Sequence, residues 1–275
     1  MNIDKMIELS LEEDLWYGDV TTDNLGIENK ISKAYFLAKE SGVLAGIQIA
    51  EKVFKKVDAS IGFRALKKDG DKLSAGDRIA EISGKSASLL KAERVALNFL
   101  QRMSGIATLT NKFVERIAPF KAKLLDTRKT TPGLREFEKY AVRVGGGYNH
   151  RFGLFDMVML KENHIRAVGS ISEAVNRIKN STYSYKIEVE VTNLEELEEA
   201  VKCKVDRIML DNMSFSEMRK AVEKYSGKVE LEASGNVTLE TVGKIAETGV
   251  DFISSGSLTH SYKSFDISLL FEERK

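Results

Sequence analysis

Cysteine occurs once in this 275-residue chain, proline twice, histidine three times and tryptophan once. The lone thiol, Cys203, excludes an intramolecular disulfide and any thiolate-clustered zinc site. It closes the helix-like stretch Ala200-Val201-Lys202-Cys203, where a packing role is expected. His150, His164 and His260 form no HExxH pattern, so a catalytic zinc is not expected. With Pro119 and Pro132 alone, there is no proline-rich tether, and no low-complexity linker accompanies them. Charge of one sign is also lacking: 42 basic against 41 acidic residues leave a net charge of +1, which gives nucleic-acid binding no bulk support. No apolar stretch approaches membrane-spanning length. The segment from Met1 to Trp16 mixes Asp4, Glu8, Glu12, Glu13 and Asp14 into its apolar residues, unlike an export signal, so a cytoplasmic setting is expected.

What is present is a 43% hydrophobic chain, long enough to bury a sizeable core as one large or two modest domains. Ile3 to Glu13 reads as helix, Ile31 to Gly46 and Ile61 to Ile82 as strands with turns at Lys68-Asp69-Gly70-Asp71 and Ser74-Ala75-Gly76-Asp77, and Ile47 to Asp58 as helix. A long helical pattern from Ala87 to Ala118 is expected to break at Ser104-Gly105, the expected domain joint. Beyond residue 120, strand and helix patterns alternate. The expected strands are Lys123 to Thr127, Met157 to Leu160, Ile187 to Val191, Arg207 to Leu210, Val229 to Ala233 and Asp251 to Ser254. Helical stretches at Ser172 to Asn180, Leu194 to Lys202, Ser214 to Tyr225 and Leu239 to Thr248 separate most of them. Repeated strand–helix units call for a parallel sheet, closed or open, and no GxGxxG marks a dinucleotide fold. The preferred fold class is α/β: a reduced, about six-stranded parallel α/β barrel behind an amino-terminal α+β sandwich. The expected domains are residues 1–105 and 106–264, with 265–275 returning to the first.

Each of the six strands ends in a chemically useful group: Arg128 and Lys129, Lys161, Glu190, Asp211, Ser234-Gly235 and Ser255-Gly256. A lone charge at such a position is usually a solvated side chain or a cap, but six in series are not. Arg128, Lys129, Arg151 and Lys161 suit carboxylate and phosphate oxygens, and their convergence demands an anion to offset mutual repulsion. His150, next to Arg151, can bond an anion in either protonation state. Glu190 and Asp211 suit a hydrated magnesium ion or ribose hydroxyls. The Ser234-Gly235-Asn236 and Ser255-Gly256-Ser257 loops, ahead of helices, offer amides to phosphate, though each alone is as readily a tight turn. Gly145-Gly146-Gly147 allows close backbone approach or simply a turn. His164 and His260 are read as structural, His260 less firmly.

Seven blocks then carry a resemblance across nearly the whole chain: ERVALNFLQRMSGIAT from Glu93, LDTRKTTPGLREFEKYAV from Leu125, GGGYNHRFGLFDMVMLKENHI from Gly145, EVEVTNLEEL from Glu188, MLDNM from Met209, EASGN from Glu232 and SGSLTHS from Ser255. They resemble, in order, the quinolinate phosphoribosyltransferase family. The run EDLWYGDVTTD from Glu13 is similar too, with Trp16 where that family commonly has glycine. The resemblance implies phosphoribosyl transfer from phosphoribosyl pyrophosphate to quinolinate, with magnesium and with loss of carbon dioxide, in NAD biosynthesis. It implies that Arg128, His150, Arg151 and Lys161 grip the acceptor carboxylates and that Lys129 lies near pyrophosphate. Glu190 and Asp211 would serve ribose and metal, and Ser234, Gly235, Ser255 and Gly256 the 5′-phosphate. Lys129, Lys161, Glu190 and Asp211 are the catalytic candidates on this reading. Arg94 would reach a neighbouring subunit's site, which implies a homodimer. Two other readings stand beside it: a relative acting on nicotinate or on the substrate of molybdenum-transport-associated proteins, and a non-catalytic phosphate-binding protein.

Overall fold

The computed structural model describes residues 3–181 and 185–273. The chain begins with α1 (Ile3–Leu15), β1 (Ile31–Ala38), β2 (Gly42–Val43), α2 (Ile47–Val57), β3 (Gly62–Ala65), β4 (Lys72–Leu73), β5 (Arg78–Lys85) and α3 (Ser86–Ile117). It continues through β6 (Lys123–Leu125), α4 (Arg135–Val144), β7 (Val158–Leu160), α5 (Glu162–Val168), α6 (Ile171–Lys179), β8 (Ile187–Val191), α7 (Leu194–Lys202), β9 (Arg207–Asp211) and α8 (Phe215–Tyr225). It closes with β10 (Glu230–Ser234), α9 (Val242–Glu247), β11 (Phe252–Ser254), α10 (Ser257–His260) and β12 (Ile267–Phe271).

Two compact units result. The first comprises Met1–Asn111, Thr131–Gly146 and Tyr262–Lys275; the second comprises Lys112–Thr130 and Gly147–Ser261. The change from one to the other falls inside α3, and Thr131–Gly146, from the middle of the segment read as barrel, clusters with the first unit. The last two residues of the carboxyl-terminal segment, Arg274 and Lys275, lie outside the described residues.

The first unit holds an antiparallel sheet in the order β12-β1-β5-β3 and a two-stranded β2-β4 pair. Trp16 takes φ 31°, a left-handed conformation that glycine adopts without a Cβ clash. That accounts for the glycine common at this place in the resembling family.

The expected break at Ser104-Gly105 does not occur, because α3 runs unbroken from Ser86 to Ile117. Both residues mark close packing instead. Ser104 Oγ, fully buried, accepts from Ala45 N at 3.0 Å and donates to Ala45 O at 3.2 Å. At Gly105 an added Cβ would lie 2.3 Å from the Lys263 carbonyl oxygen. Small residues inside a helix announced a neighbouring backbone, which sequence alone does not distinguish from a hinge.

The second unit is a six-stranded, all-parallel sheet in the order β6-β11-β10-β9-β8-β7. The first strand pairs with the last, Phe252 opposite Lys123 and Ser254 opposite Leu125, as a closed barrel requires and a doubly wound sheet does not. On its other side β6 bridges to Tyr148, whose N–H donates to Leu124 O at 2.8 Å. Helix starts are fixed by capping: Ser170 accepts from Glu173 N, Asn193 from Glu196 N, and Ser214 forms a capping box with Glu217. Ile187, Val189, Val191, Ile208, Leu210, Leu231 and Ala233 are buried, at every second position along β8, β9 and β10, which is one apolar face of each strand. Cys203 follows α7 and lies 3.5 Å from Ser172 Oγ. Among the described residues no helix is long and apolar enough to cross a membrane.

The packing reading of Gly105 makes a firm prediction. Gly105→Ala should destabilise the protein by about 1–3 kcal/mol from overpacking, despite alanine's helix propensity. Urea unfolding checks it; an unchanged or higher midpoint would restore the hinge reading.

Candidate active site

A cavity of about 840 Å³ opens at the carboxyl ends of the second unit's strands. Its lining takes Thr127, Arg128 and Lys129 from the end of β6, His150 and Arg151 from the loop beside it, Met159 and Lys161 from β7, and Glu190 from β8. Met209, Asp211 and Asn212 come from β9, Ser234 to Thr238 from β10, and Ser254 to Ser257 with His260 from β11 and α10. Eleven of the twelve site residues expected from sequence therefore share one cavity: Arg128, Lys129, His150, Arg151, Lys161, Glu190, Asp211, Ser234, Gly235, Ser255 and Gly256. Arg94 is exposed on α3 in the first unit and is not among the lining residues.

Strand order divides the rim into sectors. The cations sit on β6, on the loop bridged to it and on β7; the carboxylates on neighbouring β8 and β9; the small-residue loops on neighbouring β10 and β11. Asp126, fully buried at the end of β6, holds the cationic loop: His150 N–H donates to its Oδ1 at 2.8 Å and Asn149 Nδ2 to its Oδ2 at 2.5 Å. Arg151 Nη1 donates to Met157 O at 3.0 Å. Burial, and then the neighbouring charge of Arg128, lower the Arg151 pKa from its usual value. An anion placed between the two guanidiniums would relieve that repulsion.

Lys161 caps α5; its N–H donates to His164 Nδ1 at 3.0 Å, giving His164 the structural role expected for it. The Lys161 Nζ pairs with Glu190 Oε2. Asp211 has its pKa raised by burial and then by Glu190, with Asn212 and Lys161 acting the other way. Two repelling carboxylates with oxygen-only donors fit a hard divalent cation that keeps most of its water.

In the phosphate-like sector, Gly235 takes φ 91°, and an added Cβ would lie 2.1 Å from Asn212 Oδ1. Asn212 Nδ2 donates to Asp211 Oδ2 at 2.9 Å, and Asn236 Nδ2 to Asn212 Oδ1 at 3.1 Å, so the loop and the carboxylate sector are tied together. Gly256 admits Lys129: an added Cβ there would sit 2.8 Å from Lys129 Cδ and 3.0 Å from His260 Nε2. Thr259 Oγ1 donates to Lys129 O at 2.8 Å. The helix after Gly256 has only four residues, so what this loop offers an anion is its hydroxyls, its amides and the Lys129 charge, not a long helix dipole.

Beneath the cavity lies a layer that sequence reading missed. Glu188 and Glu232 are fully buried, with His150 Nε2 at 3.0 Å and 3.5 Å from their Oε2 atoms. Arg207 Nη1 donates to Glu232 Oε2 at 3.1 Å, and its guanidinium stacks 3.8 Å from the centre of the Phe252 ring. Burial disfavours a charged His150 ring, but the two carboxylates outweigh it and push the pKa up to about 9. The Arg151 N–H donates to Nδ1 at 2.8 Å, a contact that an unprotonated Nδ1 accepts, so it works against the charge that the two carboxylates favour. Burial and then Glu232 raise the Glu188 pKa, whereas for Glu232 the His150 and Arg207 contacts outweigh burial and lower it. The available signal was the strand period of two: Glu188 precedes Glu190 by two positions, Glu232 precedes Ser234 by two, and Arg207 precedes Asp211 by four. Asn212, in the loop after β9, was also missed as a lining residue, and His260, at the end of α10, was read as structural; the strand period reaches neither.

Comparison with known proteins agrees across both units. The family model described as quinolinate phosphoribosyl transferase, N-terminal domain, matches residues 19–104, and the C-terminal domain model matches residues 106–270. A curated relative from Nicotiana tabacum, quinolinate phosphoribosyltransferase [decarboxylating] 1b, is 48% identical over 96% of this chain and 81% of its own length. A probable nicotinate-nucleotide pyrophosphorylase [carboxylating] from Synechocystis is 45% identical over 97% of this chain and 92% of its own. Among solved structures, NadC from Streptococcus pyogenes superposes with a TM-score of 0.94 at 46% identity, covering 98% of this chain and 97% of that one.

Gly235 supplies a test of the anion sector. Gly235→Ala should weaken inorganic phosphate binding by about tenfold through displacement of Asn212, since a strained, clashing site costs on the order of 1–3 kcal/mol. Gly227→Ala, also at positive φ but facing open space, is the control and should leave phosphate affinity unchanged. Calorimetric titration with phosphate reads both.

Proposed function

The chain belongs to the quinolinate phosphoribosyltransferase family, and from that we propose that it transfers the phosphoribosyl group of phosphoribosyl pyrophosphate to the ring nitrogen of quinolinate, a step of NAD biosynthesis. The products are nicotinate mononucleotide, pyrophosphate and carbon dioxide. The observation that carries this reading is the division of one rim into a cationic sector, a carboxylate sector and a small-residue sector on adjacent strands. A dianionic acceptor, a ribose and a phosphate need that set of environments side by side.

Arg128, Arg151 and Lys161 grip the two acceptor carboxylates, with His150 lining the same sector. Glu190 and Asp211 face the ribose and are the residues that would hold magnesium, which when bound neutralises pyrophosphate charge. Ser234, Gly235, Ser255 and Gly256 receive the 5′-phosphate, and Lys129, seated against Gly256, approaches the pyrophosphate.

The chemistry follows from these placements. The bond from the anomeric carbon to the pyrophosphate oxygen breaks, and its electron pair leaves with pyrophosphate, whose charge Lys129 offsets. Positive charge develops on the ribose beside Glu190 and Asp211, and the ring nitrogen, oriented through its neighbouring carboxylates, donates its lone pair to form the new bond. The resulting pyridinium accepts the electron pair released when the adjacent carboxyl group leaves as carbon dioxide. A proton then takes the vacated ring position. No protein nucleophile is required.

The reading extends to a homodimer in which Arg94 of a second copy completes the cationic sector, and to a cytoplasmic setting, which the single free thiol suits. Nicotinate is the less suitable acceptor because its single carboxylate leaves one part of the cation set uncompensated.

Purified protein given quinolinate, phosphoribosyl pyrophosphate and magnesium should release carbon dioxide and form the mononucleotide in equal amounts; turnover of nicotinate but not quinolinate would refute the assignment. Separately, Arg94→Ala and Lys161→Ala proteins, each inactive alone, should regain a fraction of wild-type activity when mixed under subunit exchange. Exchange without recovery would remove Arg94 from the site.

A further inference from the structure

The Asn149–Arg151 loop is pinned at two consecutive backbone amides by side-chain acceptors. His150 N–H goes to Asp126 Oδ1 at 2.8 Å, and Arg151 N–H goes to His150 Nδ1 at 2.8 Å. The imidazole is thus part of the support for Arg151. Its other nitrogen, Nε2, faces inward to Glu188 and Glu232 at 3.0 Å and 3.5 Å, away from any role as a free donor to a ligand. With its histidine side chain only 5% exposed, the ring is wedged between the loop and the barrel interior.

Charge arithmetic explains what holds the wedge. Two fully buried carboxylates stand against Arg207, which takes Glu232 Oε2 at 3.1 Å. Neither oxygen of Glu188 has an aligned hydrogen-bond donor, so the inward Nε2 side of His150 is the nearest positive end available to it. An unsatisfied buried carboxylate is costly, and the least costly arrangement keeps the ring turned toward it. The same ring orientation presents Nδ1 to the Arg151 amide.

We propose that Glu188 and Glu232 are positioning residues for the acceptor site: through the His150 ring they fix the backbone of Arg151 and so the placement of its guanidinium in the cavity. His150 then acts on the ligand through Arg151 and not as a hydrogen-bond donor of its own. This rests on the reading of the cationic sector as the acceptor-carboxylate site. The same three residues, His150, Glu188 and Glu232, have ligand atoms within 4.8 Å of one another and could instead gather a metal ion. Arg207 argues against that, because its charge already lies on the Glu232 oxygen nearest the ring.

The test uses the full-length enzyme and two probes that need no turnover: phthalate, a vicinal aromatic dicarboxylate, and inorganic pyrophosphate. Glu188→Gln should raise the phthalate Kd by about tenfold or more while leaving the pyrophosphate Kd within about twofold, the signature of a displaced arginine and not of a loosened barrel. In steady state the quinolinate KM should rise by a similar factor with the phosphoribosyl pyrophosphate KM unchanged. Glu232→Gln alone removes one of the two carboxylates that hold Arg207, the other being Glu230, and should act in the same direction. Combining it with Arg207→Met removes one charge of each sign, keeps Glu188 against the ring, and should return the phthalate Kd toward the wild-type value.

Equal losses for both probes, or an unchanged phthalate Kd in Glu188→Gln, would overturn the proposal. So would a stoichiometric metal in the purified wild type that Glu188→Gln fails to retain. Wild-type protein that binds phthalate but does not turn over quinolinate would sink the substrate assignment alone and leave the positioning claim to the phthalate series.

Discussion

Charge placed inside a parallel barrel has to be balanced without water, and that constraint organises this protein from the strands outward. On β8, β9 and β10 the inward positions carry Glu188, Glu190, Arg207, Asp211 and Glu232, where such strands ordinarily present aliphatic side chains. Glu188 and Glu232 cannot be solvated, so their neighbours are dictated: Arg207 from the amino-terminal end of β9, and the His150 ring from above. The layer that balances the core is therefore the floor of the cavity, and the loop that supplies its histidine also supplies Arg151.

Above that floor the balance is deliberately left open. Among the described lining residues, Arg128, Lys129, Arg151 and Lys161 outnumber the carboxylates Glu190 and Asp211, and Lys161 already pairs with Glu190. The depressed pKa of Arg151 and the raised pKa of Asp211 record the same fact from two sides: like charges face each other within each sector. Anionic substrates complete the cationic sector, and a divalent cation would complete the carboxylate one. Catalysis by charge neutralisation and orientation follows from this incompleteness, with no covalent intermediate to build.

Much of this was legible in the sequence because strand ends are read by a simple rule. Ile187 to Val191 and Leu194 to Lys202 are observed at the expected bounds, and all six parallel strands lie within two residues of theirs. The rim residues Arg128, Lys161, Glu190, Asp211 and Ser234 followed from those ends, and the ordered family blocks assigned them to sectors. Two things escaped. Ser104-Gly105 signalled a backbone approaching α3, which looks the same in sequence as a hinge. The buried layer escaped because Glu188 and Glu232 sit inside their strands, where charge reads as a solvent-facing position, and only their burial beneath the cavity shows that face to be the interior. Arg94 on α3 shows the limit from the other side: it does not line the cavity, and the place proposed for it lies in a second copy of the chain.

The account's central claim is that the cationic sector is matched to two carboxylates on one aromatic ring. The most direct measurement is the calorimetric affinity of the protein for quinolinate against nicotinate under identical salt. Quinolinate should bind at least about tenfold more tightly, the difference expected for one charge-assisted arginine contact, and the gap should shrink in Arg151→Ala. Equal affinity for the two acids would contradict the account.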